Sequence, residues 1–205
     1  MKYDQVSRVF TTSRSYTTKE GEEKVFVQAY PFTTWSYVYD TPREDATLSA
    51  LFFYCQQLLR GGRPEIGDRK SVSQLPLMLI NKRGIEVTRI DDPIVQDAEE
   101  AGYEGGGHEQ HRIMQRHLMR FNSSIIASEV PVWNGEVMGH IDYIQWDKER
   151  KVLRVLDFKP AAFKETKASS QVCRYIHLLA DQLGIDPKTI EGGYFDKDEF
   201  YQVIF

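Results

Sequence analysis

Hydrophobic and polar positions are irregularly spaced in the first part of this 205-residue chain. Residues 1–25 are polar and predict a ragged hairpin, and aromatic side chains then become frequent up to residue 39. Trp35, Tyr37 and Tyr39 alternate as on one face of a strand. Such a row of rings could stack on nucleobases, but aromatic strand faces are more often buried, so we favour a position in the core.

A helix and then two shorter elements are expected before residue 105. The sequence TPRE at 41–44 has the form of a capping box and predicts a helix that ends at Gly61 and Gly62. The shorter elements are a hairpin that joins 75–80 to 85–90 and an acidic helix within 91–104. Three consecutive glycines at 105–107 are interpreted as a hinge.

The second half of the chain has a more regular pattern. Its expected elements are a helix at 108–121, strands at 125–133, 136–146 and 151–159, a helix at 169–183, and short strands at 193–195 and 201–205. This αβββαβ order predicts an α/β (α+β) fold with a mixed central sheet flanked by helices. We expect an N-terminal accessory region at 1–104 and a core domain at 105–205.

Composition and charge narrow the class of protein. The chain carries a net charge of -4, which argues against a strongly electrostatic, nonspecific nucleic-acid binder. Residues 108–183 form the only basic segment, with 11 Lys+Arg against 9 Asp+Glu. No apolar run approaches the ~18 residues of a membrane span. Because Cys55 and Cys173 are the only cysteines, a disulfide framework is excluded. We therefore expect a cytoplasmic protein with no membrane partner.

Two of the predicted strands carry acidic residues that could act together. His140 and Asp142 are two residues apart and face the same side of one strand, as do Asp157 and Lys159 on the next. Charged side chains on an otherwise apolar strand face need partners, and a divalent cation relieves the repulsion between two carboxylates. Oxygen ligands with room for water favour Mg²⁺ or Mn²⁺. A lysine beside such an ion could orient or deprotonate an attacking water, or neutralise a phosphate.

The order of these motifs resembles that of a nuclease superfamily. GHID at 139–142, DFK at 157–159 and QVCRY at 171–175 resemble the GxxD, DxK and QxxxY motifs of PD-(D/E)XK nucleases. The resemblance is closest to the RecB-like branch, which includes lambda-type exonucleases. That branch also tends to place a histidine four residues after a glycine on the helix before the sheet, which fits Gly107 and His111.

The resemblance covers residues 105–205 and implies a restriction-endonuclease-like core. It also implies that the cofactor is Mg²⁺ or Mn²⁺ and that the partner is DNA. The implied roles are metal binding by His111, Asp142, Asp157 and the main-chain carbonyl of Phe158, action of Lys159 on the nucleophilic water, and contact with the DNA backbone by Gln171 and Tyr175. Members of the branch with an iron–sulfur cluster need four cysteines, so no such cluster is expected here.

Several neighbouring residues leave alternatives open. Glu109 is an alternative to His111, because related nucleases place a glutamate on this helix. His140 could support the metal ligands, but a satisfied core histidine is favoured. Glu129, inside the first strand of the core, could approach the metal, but a solvent-facing position is favoured. Basic residues that follow the catalytic strand could bind phosphates, although such residues usually form a solvated face; these are Lys164, Lys167 and Arg174.

Together these expectations describe a metal-dependent DNA nuclease, most simply an exonuclease of replication, recombination or repair. Homo-oligomers occur among the proteins it resembles. Small chains of this type are common in phages and archaeal viruses, which suggests a viral protein that acts in the host cell cytoplasm. The alternatives are a DNA-binding module on a nuclease fold, a structure- or sequence-specific endonuclease, and a protein with no nucleic-acid role.

Overall fold

The computed structural model describes residues 3–39, 45–62, 70–75, 84–102 and 107–205. This part of the chain is mixed α/β, with four α-helices and a nine-stranded sheet. None of the helices described is long and apolar enough to cross a membrane.

The sheet is mixed, as the sequence predicts. Its strands are β1 (Gln5–Thr17), β2 (Glu23–Trp35), β3 (Lys70–Ser71), β4 (Glu86–Ile90), β5 (Ile125–Trp133), β6 (Val137–Asp147), β7 (Val152–Phe158), β8 (Ile190–Phe195) and β9 (Phe200–Ile204). They pair in the order β1-β2-β5-β6-β7-β8-β9-β4, and the short β3 pairs with β6. The pairs β7–β8 and β3–β6 are parallel and the other pairs are antiparallel.

The four helices are α1 (Ala46–Arg60), α2 (Pro93–Glu100), α3 (Gly107–Phe121) and α4 (Ala168–Leu183). The α1 helix begins after Asp45, whose carboxylate accepts hydrogen bonds from the N–H groups of Thr47 and Leu48. It ends at Gly61, where φ is 118° and a side chain would be strained. The capping box predicted at 41–44 lies outside the described residues.

The structure differs from the sequence-based expectation at residues 36–39 and at the hairpin predicted for 75–90. The strand predicted through Tyr37 and Tyr39 is wrong, because β2 ends at Trp35 and a 3₁₀ turn follows at Ser36–Tyr39. In this turn Val38 is completely buried, and Tyr39 is 41% exposed. Much of the hairpin predicted for 75–90 lies outside the described residues, and its second strand, β4, pairs with β9.

Helices cover both faces of the sheet, and strand β7 shows how the two sides are separated. Leu153 and Val155 belong to a buried cluster that contains side chains of α1 and α4. Leu156 and Phe158 belong to a second cluster with side chains of α2 and α3. Because neighbouring residues of a strand point to opposite faces, β7 is buried on both sides.

Strands from both halves of the chain share this one sheet. β2 pairs with β5 through Thr33 and Thr34, and β4 pairs with β9 along its whole length. The hinge predicted at 105–107 falls largely outside the described residues. The sheet is therefore continuous across the predicted division between residues 104 and 105.

Replacing Gly193 by alanine is expected to destabilise the protein by about 1–3 kcal/mol, the usual cost of overpacking. A Cβ atom at Gly193 would lie 2.2 Å from the ring of Phe200 and 2.8 Å from the carbonyl oxygen of Tyr201. Denaturant unfolding measures the change in free energy. Gly135→Ala is the matched control, since its Cβ would meet no atom within 4 Å. Equal stability of the two variants would contradict the packing of β8 against β9.

Candidate active site

Three carboxyl groups lie side by side on the central strands. The pairing registers of β5 with β6 and of β6 with β7 place Glu129, Asp142 and Asp157 next to one another on three neighbouring strands. All three side chains line one cleft of about 460 Å³. Asp157 is only 2% exposed and lies next to the last residue of β7, so the cleft opens where this strand ends.

Other walls of the cleft come from elements on both sides of the sheet. The residues that line it with the three acids include His111 and Gln115 of α3, His140 of β6, Lys159 after β7, Tyr175 of α4 and Tyr30 of β2. Ser71 and Ser73 lie at its rim, from the short segment that pairs with β6. The structure thus brings together most of the sequence-predicted site residues, from distant parts of the chain.

Lys159 forms an ion pair with Asp157. Its Nζ atom lies 2.6 Å from Oδ2 of Asp157, and its side chain is 17% exposed. Burial raises the pKa of Asp157 to about 6, although Lys159 partly opposes the change. Burial acts to lower the pKa of Lys159, but the charges of Asp157 and Asp142 outweigh it and raise this pKa overall. Lys159 is therefore a protonated hydrogen-bond donor at neutral pH.

Asp142 is held by the backbone of the neighbouring strand. The N–H of Phe158 donates a 2.8 Å hydrogen bond to Oδ2 of Asp142. Nδ1 of His111 lies 3.7 Å from the same oxygen, and the His111 ring packs edge-on against Phe158. Burial raises the pKa of Asp142, while Lys159 and the Phe158 N–H oppose the change. These contacts fix the Asp142 carboxylate at the centre of the acidic row, the name used here for the three carboxyl groups of Glu129, Asp142 and Asp157.

Glu129 faces the cleft, and the solvent position favoured by its sequence is wrong. Its φ angle is 51°, in the left-handed region that residues other than glycine rarely adopt. With this backbone conformation, the Glu129 side chain lines the cleft beside Asp142 and Asp157. Burial, with the charges of Asp142 and Asp157, raises the pKa of Glu129 to about 8. Backbone strain that places a charged group in a cleft is typical of functional sites.

Glu129→Gln is expected to raise the melting temperature of the metal-free protein at pH 8 but not at pH 5. Burial raises the pKa of Glu129 from 4.5 to about 8, so between these values the folded state holds more protons than the unfolded state. The stability of the native protein therefore falls as the pH rises through this window. A gain of about 2–4 °C at pH 8 corresponds to roughly 1 kcal/mol in a chain of this size.

Thermal unfolding in EDTA at both pH values measures this effect. Glu149→Gln is the control, because Glu149 is exposed in the turn between β6 and β7. The same difference between Glu129→Gln and the native protein at pH 5 and pH 8 would contradict the raised pKa of the half-buried Glu129.

The chemistry of the acidic row fits a divalent cation. The charges of Asp142 and Asp157 raise the pKa of Glu129, the charge of Asp142 also raises the pKa of Asp157, and the Lys159 ammonium forms an ion pair with Asp157. Carboxylate oxygens are the ligands that Mg²⁺ and Mn²⁺ prefer. No three His, Cys, Asp or Glu side chains in the described ranges are grouped as closely as a bound ion would hold them. Instead, the Lys159 ammonium supplies positive charge at Asp157.

Gly139 of the GHID motif lies directly against the ring of Tyr175 of the QVCRY motif. A Cβ atom at Gly139 would lie 2.5 Å from Cε1 of the Tyr175 ring, so only glycine leaves room for this ring. Tyr175 is 7% exposed and lines the cleft. Burial raises its pKa well above the ordinary value for tyrosine. Tyr175 is thus a neutral side chain packed beside the acids.

His140 is buried beside the cleft, but it is not a satisfied core histidine. Its ring stacks face to face on Tyr30, with centroids 3.5 Å apart and an angle of 10° between the planes. Its Nε2 atom is buried and has no hydrogen-bond partner among the described residues. Burial lowers the pKa of His140 to about 3, so the ring is neutral.

The remaining predicted site residues lie away from the acidic row. Glu109 is exposed and pairs with Arg112 at 2.8 Å, so His111 is the residue of α3 that meets the acids. Lys164 and Lys167 are exposed, and Lys164 lies over the ring of Phe163. Gln171 is half-buried on α4 but does not line the cleft as described. Arg174 lines a separate groove with Lys70 and Asp181.

Sequence patterns missed the contribution of β2 to the cleft. Tyr30 belongs to the aromatic segment that ends at residue 39, but the alternation typical of a strand face singles out Trp35, Tyr37 and Tyr39 in that segment. Gln28, Ala29 and Pro31 also line the cleft. The contact depends on pairing between β2 and β5, which are about ninety residues apart in the chain, and no local signal predicts such a pairing.

Comparisons with known proteins add no family to this description. A scan against protein-family models found no matching family, and searches of curated proteins and of solved structures also found no match.

Proposed function

We propose that this protein is a metal-dependent DNA nuclease with a restriction-endonuclease-like αβββαβ core. The observation that carries the proposal is the row of three carboxyl groups in one cleft, the buried Asp157 and the half-buried Glu129 and Asp142, with Lys159 paired to Asp157. Holding three acids side by side in a partly buried cleft is costly for folding unless a cation offsets their charge. The motif order that resembles RecB-like nucleases supports the same reaction.

Asp142 and Asp157 would hold a Mg²⁺ or Mn²⁺ ion, with Glu129, His111 and the Phe158 carbonyl as further ligands. Such an ion stabilises the negative charge that develops on the phosphate oxygens during hydrolysis. The Phe158 N–H and His111 keep the Asp142 carboxylate in place. Lys159 is protonated and donates hydrogen bonds, so we assign its Nζ to orienting the attacking water or a phosphate oxygen.

The walls of the cleft favour cleavage close to the end of a DNA strand. The cleft is walled on several sides by β2, α3, α4 and the segment beside β3. A cleft walled in this way accommodates a single strand or a frayed end more easily than an uninterrupted duplex. We therefore propose exonuclease action in DNA replication, recombination or repair, in the cytoplasm.

A cleavage assay on three substrates tests the proposal. End-labelled single-stranded DNA, end-labelled duplex and a closed circular plasmid are incubated with Mg²⁺, Mn²⁺ or EDTA. Cleavage that needs a divalent ion is expected for the end-labelled strands, with the circle left intact. Cutting of the circle at defined positions would favour a specific endonuclease, and no cleavage of any substrate would reject the nuclease function.

A DNA-binding module on a nuclease fold is the second candidate. The ion pair between Lys159 and Asp157 favours it, because the ammonium group already offsets the charge of one carboxylate. This candidate predicts that DNA binds without turnover in Mg²⁺ or Mn²⁺. Binding measured by fluorescence anisotropy, together with the cleavage assay, separates the two functions.

A further inference from the structure

The stacked pair of Tyr30 and His140 forms one wall of the cleft. The rings are 3.5 Å apart and nearly parallel. His140 is 8% exposed, whereas Tyr30 is partly exposed, and both line the cleft. A buried ring therefore supports a more exposed one, so the orientation of Tyr30 is fixed before any ligand arrives. Such preorganisation lowers the entropy cost of binding.

Polar contacts do not account for the position of His140. Its Nε2 atom has no hydrogen-bond partner in the described part of the chain, although it is buried. A buried nitrogen without a partner weakens folding. Among the described contacts, the favourable contribution of the His140 ring is its stack on Tyr30.

The pair lies close to the acidic row. His140 precedes Asp142 by two residues on β6, a distance of about 7 Å along a strand. A nucleotide whose phosphate lies at Asp142 and Asp157 would thus place an adjoining nucleotide beside the ring pair. Aromatic side chains stack on any base, because every base has a flat π-face.

We infer that Tyr30, supported by His140, is a platform on which a nucleobase next to the cleaved phosphate stacks. This inference rests on the proposed function and deepens it by naming the substrate class. A base can stack on a protein ring only when it is outside the duplex. The substrate of the cleft is therefore single-stranded DNA or an unpaired end of a DNA strand, and strand β2 contributes to its recognition.

Binding of oligonucleotides that lack single bases tests the platform. Fluorescein-labelled 12-nucleotide strands, each with one abasic site at a different position, are titrated by anisotropy in Mg²⁺. All proteins carry Asp157→Asn, which prevents cleavage in the assay. One abasic position is expected to weaken binding by roughly tenfold, the usual scale for losing one base stack. Tyr30→Ala should bind intact and abasic strands equally, whereas Tyr30→Phe should keep the difference.

His140→Phe and Tyr39→Ala are the companion variants. His140→Phe retains a ring behind Tyr30 and is expected to keep the abasic discrimination, whereas His140→Ala should weaken it. Tyr39→Ala removes an exposed tyrosine of the 3₁₀ turn, outside the cleft, and should change nothing. If Tyr30→Ala does not fold, Tyr30→Leu replaces it.

The outcomes separate this inference from the proposed function. Equal affinity of the Tyr30-containing protein for every abasic strand would overturn the platform, even if the native chain cleaves DNA. Abasic discrimination lost in Tyr30→Ala would establish the platform, even if the native chain proves to bind DNA without cutting it.

Discussion

Asp157→Asn is expected to lower the rate of DNA cleavage at least about 10³-fold, a loss of roughly 4 kcal/mol in transition-state stabilisation. The asparagine keeps the size of the side chain but removes the charge that would hold a cation. It also leaves Lys159 without its partner at 2.6 Å. Initial rates on an end-labelled single strand, over a series of Mg²⁺ concentrations, measure the change. Asp142→Asn should show a similar loss, because the two acids are neighbours in the same row.

Asp181→Asn is the matched control for these variants. Asp181 is exposed on α4 and lines a separate groove with Arg174, so its charge is not expected to affect cleavage. Thermal unfolding of each variant shows whether the fold is intact. A folded Asp157→Asn protein that cleaves DNA at the native rate would show that the reaction does not take place in this cleft.

Lys159→Ala is expected to lower the cleavage rate by about 10²-fold or more, the range seen when a positioned proton-bearing group is lost. Without the ammonium, the pKa of Asp157 should rise further, because Lys159 opposes the effect of burial on this acid. A higher pH should therefore restore part of the metal binding but not the full rate. Rates at pH 7 and pH 9, each with a Mg²⁺ titration, separate the two effects.

Lys148→Ala provides the comparison, since Lys148 is an exposed lysine in the turn after β6. It should cleave at the native rate at both pH values. Recovery of the full native rate by Lys159→Ala at pH 9 would mean that Lys159 only adjusts the charge of Asp157. In that case it would have no role in orienting water or phosphate.

The strands of the acidic row could be predicted because their patterns are local. Alternation along β6 and β7 placed Asp142 and Asp157 inside strands, and the mixed sheet with flanking helices is confirmed. Of the two candidates left open on α3, His111 approaches the acids, whereas Glu109 pairs with Arg112. The nuclease function itself stays a prediction.

Glu129 and Tyr30 could not be placed from sequence, for two different physical reasons. Alternation along β5 assumes extended backbone at every residue, and the φ angle of 51° at Glu129 breaks that assumption. Tyr30 reaches the cleft only through pairing of β2 with a strand far along the chain. The QxxxY motif is only partly placed in the cleft. Tyr175 packs on Gly139 and lines the cleft, whereas Gln171 does not line it.

Pairing of β4 with β9 has a consequence for how the protein folds. Residues 86–90 complete the sheet edge by pairing with residues 200–204, which follow more than a hundred residues later in the sequence. On a ribosome, β4 emerges long before its partner strand is synthesised. Contacts between such distant segments slow folding, because a long loop must close before any stabilisation is gained. Until β9 has been synthesised, β4 remains an unpaired strand that other chains can capture.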